Sequence, residues 1–174
     1  MENIEKFNYR QALGNSTIGI GNTRIWDFEY QAFILAYRRS LDYLARAIAT
    51  YFRNDFHSFR TLGDFLLNQK PEQVSQPLIT LHTKFSPLFE FVISEGTRKS
   101  VRDKISHYEY VPVGAINLSR KGFVLMGGGE QLGLDQNKGN MLLSEVLDTH
   151  MLNLRMCIRE MMYCFVDSIK VVES

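Results

Sequence analysis

An excess of charge of one sign is missing from this chain: 20 lysines and arginines stand against 19 aspartates and glutamates in 174 residues, a formal net charge of +1. A globally basic nucleic-acid coat is thereby excluded, and any anion must be met by a local patch. Cysteine is scarce as well. Cys157 and Cys164 stand seven positions apart in a segment of helical periodicity, about 10 Å along the axis, too far for a bridge between them. No Cys/His ligand spacing surrounds them, and His57, His82, His107 and His150 are scattered without an H-E-x-x-H pair. Neither a metal site nor a cofactor is expected on those grounds. No apolar run approaches the roughly 18 residues of a membrane span, and Met1 to Lys6 has no signal-peptide pattern, so a cytoplasmic protein without membrane association is expected. Gly127-Gly128-Gly129 resembles a phosphate loop only in glycine content. It lacks the Lys-Ser/Thr of a P-loop and reads as part of a surface loop over 127–139.

What the chain does hold is apolar material: 45% hydrophobic residues, with 12 Phe and 8 Tyr. At this length one domain is expected, burying roughly 70% of the surface that the unfolded chain exposes. Residues 1–23 show no sustained period and read as an irregular arm, and 24–174 read as a single helical domain. Tyr30, Phe33, Tyr37, Leu41, Leu44, Ile48 and Tyr51 recur at steps of three and four, predicting a long amphipathic helix from Arg24 to about Arg53. Its other face carries Arg39, Asp42, Arg46 and Arg53. Three arginines at sevenfold spacing could meet RNA, although a polar stripe is also what any bundle helix shows to water.

Phe59, Leu62, Phe65 and Leu66 predict a short helix ended by Asn68 to Pro71. Another starts near Ser75 or Gln76 with Leu78, Leu81, Phe85, Leu88 and Val92 as its seam, and Pro87 should kink it. His82, beside that seam, reads as a packed histidine. Thr97 can cap a helix from Arg98 to about Tyr108. A small β-hairpin is expected over 110–126, with a turn at Arg120-Lys121-Gly122. Leu143, Val146, His150, Leu154, Cys157, Met161, Phe165 and Ile169 then mark a second long helix, from about Asn140 to Val171. The expected fold is mainly α: an antiparallel helical bundle with two long helices, shorter intervening helices and a small β-hairpin after residue 108.

The richest chemistry lies in Arg102-Asp103-Lys104-Ile105-Ser106-His107. On a helix, Asp103 and His107 stand at i and i+4, so the carboxylate can hold one imidazole nitrogen and set the tautomer. A guanidinium offers a planar fork to a phosphate, and a histidine can move a proton at neutral pH. Lys99, Lys104 and Ser106 add phosphate-binding groups nearby. Cations ahead of a helix end also favour the macrodipole, which is the structural reading of the same residues.

This segment resembles the R-x(4–6)-H signature of HEPN domains, in which a polar residue follows the Arg as Asp103 does. The resemblance implies a helical bundle, usually a homodimer with two motifs facing each other in a shared cleft. It also implies a metal-independent endoribonuclease of the toxin–antitoxin or phage-defence kind, acting on RNA and held by an antitoxin protein. By that resemblance Arg102 is the transition-state cation, His107 the general base or acid, and Asp103 the orienting polar group. A non-catalytic module binding a nucleotide or a protein is the alternative it implies. Some toxins of this family carry R-x(4)-H-x-Y with a modified tyrosine. Here that position is Glu109, flanked by Tyr108 and Tyr110.

Overall fold

The computed structural model describes residues 18–19, 24–93, 115–119, 122–126 and 141–173. These are mainly helical. Helix α1 runs over Arg24–Tyr51, α2 over Leu62–Leu67 and α3 over Glu72–Phe85. A 3-10 turn at Ser86–Phe89 leads into α4, Glu90–Ile93, and the last described element is α5, Leu143–Glu173. Four short strands, β1 (Ile18–Gly19), β2 (Ala115–Ser119), β3 (Gly122–Met126) and β4 (Met141–Leu142), pair antiparallel in that order. The segment predicted as a hairpin falls here: Ala115 lies opposite Met126 and Ser119 opposite Gly122, while 110–114 and 120–121 lie outside the described residues. Ile18 and Gly19, within the arm read as irregular, pair with Leu118 and Asn117. The rest of that arm lies outside the described residues.

The apolar period of α1 builds the core. Tyr30, Tyr37, Leu41, Leu44 and Ile48 are buried, joined by Ile34, Ala45 and Ala49. They pack with Leu62 and Leu66 of α2, Leu78 and Phe85 of α3, Phe89, Phe91 and Val92, and the inward row Val146, Leu154, Cys157, Met161 and Phe165 of α5. Helix α1 ends in a Schellman motif: Asn54 N–H donates to Ala49 O (3.1 Å) and Arg53 N–H to Thr50 O (3.0 Å). Arg53 takes the left-handed position, φ 53°, where glycine is the usual occupant. The loop beyond it is tied back to α1, since Asp42 accepts the Phe59 N–H (3.0 Å) and pairs with Arg38 (3.0 Å).

Helix α3 starts at Glu72, earlier than the period alone suggests. Pro71 is extended at the cap position, and its carbonyl accepts the N–H groups of Val74 and Ser75, which winds the first turn before the apolar row begins. At the other end, Pro87 does more than bend the helix. It has no N–H for the preceding turn, and the chain tightens into the 3-10 form. The change of winding rotates the seam by about one residue. Phe89 is fully buried while Leu88, placed in the seam by its spacing, is 43% exposed.

The two long helices run in the same direction where they meet. Tyr37 touches His150, and Tyr51 touches Phe165. The steps from 37 to 51 and from 150 to 165 each span about 21–23 Å of helix. Helix α3 packs along α5: Lys84 reaches Glu160, and Pro77, Thr80 and Leu81 share one groove with Arg159, Tyr163 and Cys164. A short loop forces neighbouring helices to be antiparallel, and no short loop joins α1 to α5.

Candidate functional site

Lys99, Arg102, Asp103, Lys104, Ser106 and His107 all lie outside the described residues, as does the helix expected from Arg98 to Tyr108. The described chain leads toward them through α4, whose Phe91, Val92 and Ile93 are buried. Phe91 sits 5.3 Å from the Tyr37 ring and 4.2 Å from the His150 ring, centroid to centroid, so this approach is fastened to both long helices.

The buried ionisable groups have structural partners. His82 donates from Nε2 to the Phe59 carbonyl at 2.8 Å, and its ring lies against Phe59. Burial pushes its pKa below the usual histidine value, against the opposing pull of the Phe59 hydrogen bond and of Asp64. A Cβ on Gly63 would stand 2.9 Å from His82 Nδ1, so the glycine is the seat of the ring. The reading of His82 as a packed histidine agrees with these contacts. Tyr37 donates to the His150 carbonyl at 2.8 Å, and burial raises its pKa, with Cys157 adding to the effect. Cys157 is buried, and its thiol is pushed up to about 12 by burial and then by Glu160. A thiol so far from ionising is a packing group.

Two features stand out on the surface of the described residues. Between α3 and α5 lies a shallow groove of about 680 Å³ lined by Pro77, Thr80, Leu81, Arg159, Tyr163 and Cys164. Lys84 and Glu160 form a 2.6 Å ion pair beside it. The more organised feature is the outer face of α1. At 3.6 residues per turn, Arg39, Tyr43, Arg46 and Thr50 fall on one stripe opposite the buried row, Arg53 follows just past the helix end, and all five are exposed. Tyr43 is 61% exposed despite its large ring.

Among the described residues Arg39 and Arg53 make no ion pair, and Arg46 makes one, with the exposed Asp55 at 3.4 Å. Asp42, grouped with these arginines by sequence spacing, is half-buried and held by Arg38 and the Phe59 N–H. Its charge is therefore compensated away from the stripe. Three guanidiniums and one aromatic face can bind phosphates and stack a base. Tyr43 was the residue that sequence reasoning missed. The available signal was its position, four residues after Arg39 and three before Arg46, which puts it with the arginines.

No family model, no curated protein and no solved structure matches this chain. Among the described residues no group of three His, Cys, Asp or Glu side chains could hold a metal, and no described helix is long and apolar enough to cross a membrane.

Proposed function

We propose that the protein is a HEPN-like, metal-independent endoribonuclease of a toxin–antitoxin or phage-defence system. The observation that carries this reading is the Arg102-Asp103-x(3)-His107 spacing in a chain whose described residues are mainly helical. In this reading the helices form one bundle, with β2 and β3 as a small hairpin after the motif. The protein is a cytoplasmic homodimer, and an antitoxin protein restrains it.

RNA carries its own nucleophile. The ribose 2′-oxygen attacks phosphorus as His107 removes its proton, and Arg102 neutralises the charge that grows on the phosphoryl oxygens. The bond from phosphorus to the 5′-oxygen breaks, and the second copy's imidazole returns a proton to that oxygen. Products are a 2′,3′-cyclic phosphate and a 5′-hydroxyl. Asp103 sets the imidazole tautomer, and Lys99, Lys104 and Ser106 hold neighbouring phosphates.

The test is RNA cleavage by wild type and His107→Ala, with binding measured separately. Loss of about 10²-fold or more in turnover with retained binding is the expected result. Unchanged cleavage in the variant removes the reading. Binding to RNA or a nucleotide without any cleavage by wild type replaces it with the non-catalytic module.

A further inference from the structure

The outer stripe of α1 has a composition that solvation alone does not require. A helix face meeting only water is served by mixed charge, and an exposed aromatic there lowers solubility without packing gain. Here Tyr43 stands one turn from Arg39 and one from Arg46, with 61% of its surface open. Arg39 and Arg46 are about 10 Å apart along the axis, and Arg53 lies two residues past the end of α1. Among the described residues the exposed acid facing it is Asp55, opposite Arg46, while Asp42 is held elsewhere by Arg38 and the Phe59 N–H.

Arg53 adds an independent observation. It occupies the left-handed end of α1 at φ 53°, a conformation disfavoured for a side-chain-bearing residue and free for glycine. The turn itself needs only the backbone bonds to Ala49 and Thr50, which glycine would make equally well. An arginine there sets a third exposed cation beyond the end of the helical stripe at a cost in stability.

We infer that the Arg39–Tyr43–Arg46 face of α1, with Arg53 just past its C-terminal end, is a docking surface for single-stranded RNA, separate from the Arg102–His107 motif. The inference rests on the ribonuclease reading for its ligand class. The guanidiniums take successive phosphates, and the Tyr43 ring stacks an unpaired base between them. A second copy of the chain is a poor occupant, because a two-fold contact centred on this face sets Arg46 against its own counterpart. A duplex hides its bases, so it leaves Tyr43 without a role.

The experiment is fluorescence anisotropy with a labelled, mixed-sequence single-stranded oligoribonucleotide, a matched duplex and polyglutamate as competitor, at several salt concentrations. The variants are Tyr43→Ala and the triple Arg39→Ala/Arg46→Ala/Arg53→Gly, each checked by thermal melting. All four positions are exposed, so neither variant should melt appreciably below wild type. The triple variant should weaken binding at least tenfold and reduce the salt slope by about two, at roughly 0.7 for each phosphate no longer neutralised. Tyr43→Ala should weaken single-strand binding about fivefold or more with the slope unchanged.

Wild-type affinity and slope in both variants overturn the docking surface. If His107-dependent cleavage persists in that case, the ribonuclease reading survives alone. Absence of both RNA binding and cleavage in wild type overturns the two together. Equal affinity for duplex, or displacement by polyglutamate as effective as by RNA, overturns the single-strand assignment.

Discussion

The Tyr37 hydroxyl donates to the carbonyl oxygen of His150 at 2.8 Å, a buried hydrogen bond between residues 113 positions apart. It fixes the axial position of α1 against α5. The His150 carbonyl also belongs to a helix interior, so it is not left wholly without a donor when Tyr37 is altered. Tyr37→Phe should therefore cost about 1 kcal/mol in urea unfolding. Tyr37→Ala also removes the ring packed between Phe33, Phe89 and Phe91, and should cost about 3–5 kcal/mol. A Tyr37→Phe variant as stable as wild type would show that the hydroxyl has no separate role.

His82 makes stability depend on pH. Its folded pKa lies below the unfolded value of about 6.5, so the unfolded chain binds the proton more readily. Its neutral form is stabilising above the unfolded value, and that advantage is lost as pH falls through about 6.5 toward the folded pKa. The melting temperature of wild type should drop between about pH 7 and 5. His82→Gln, which can still donate to Phe59 O, should flatten that part of the profile. A profile identical to wild type would remove His82 as its source.

The rotation imposed at Pro87 separates two adjacent residues. Phe89→Ala should destabilise by about 3–5 kcal/mol, while Leu88→Ala should stay within about 0.5 kcal/mol. Chemical denaturation of the pair checks this. Similar losses at both positions would place Leu88 back in the seam.

At Arg53 the left-handed backbone has a simple consequence. Arg53→Gly relieves the side-chain strain and should raise stability by about 0.5–1 kcal/mol, whereas Arg53→Ala should not. Calorimetric melting distinguishes them. A lower melting temperature for the glycine variant would mean that the arginine side chain makes stabilising contacts.

Assembly and metal dependence test the proposed chemistry. One motif supplies one imidazole, so two copies should meet about a two-fold axis, and scattering should report a dimer at working concentration. Cleavage should survive EDTA and spare DNA, which lacks the 2′-hydroxyl. A strict monomer, or activity restored only by a divalent ion, contradicts that mechanism.

Both long helices were legible because their buried residues repeat at three and four over many turns, a signal that local noise does not erase. The inward row from Tyr30 to Tyr51 and the row from Val146 to Ile169 are buried or half-buried as their spacing predicts. The early start of α3 was not legible, since it comes from the Pro71 carbonyl rather than from apolar period. Leu88 was misplaced because spacing assumes constant winding, which Pro87 ends. The residues of the expected catalytic motif lie outside the described chain. Their chemistry is readable from residue type alone.

By itself the sequence determined the two long helices, which face of each is apolar, and where a cation, a carboxylate and a base come within six residues. Those properties depend on neighbours a few positions apart. Only the tertiary structure decided that α1 and α5 run in the same direction, that Asp42 turns to Arg38 and the Phe59 N–H, and that Tyr43 stays open among arginines. Each of these rests on packing between distant segments or on the space left after it, and periodicity along one helix carries no information about either.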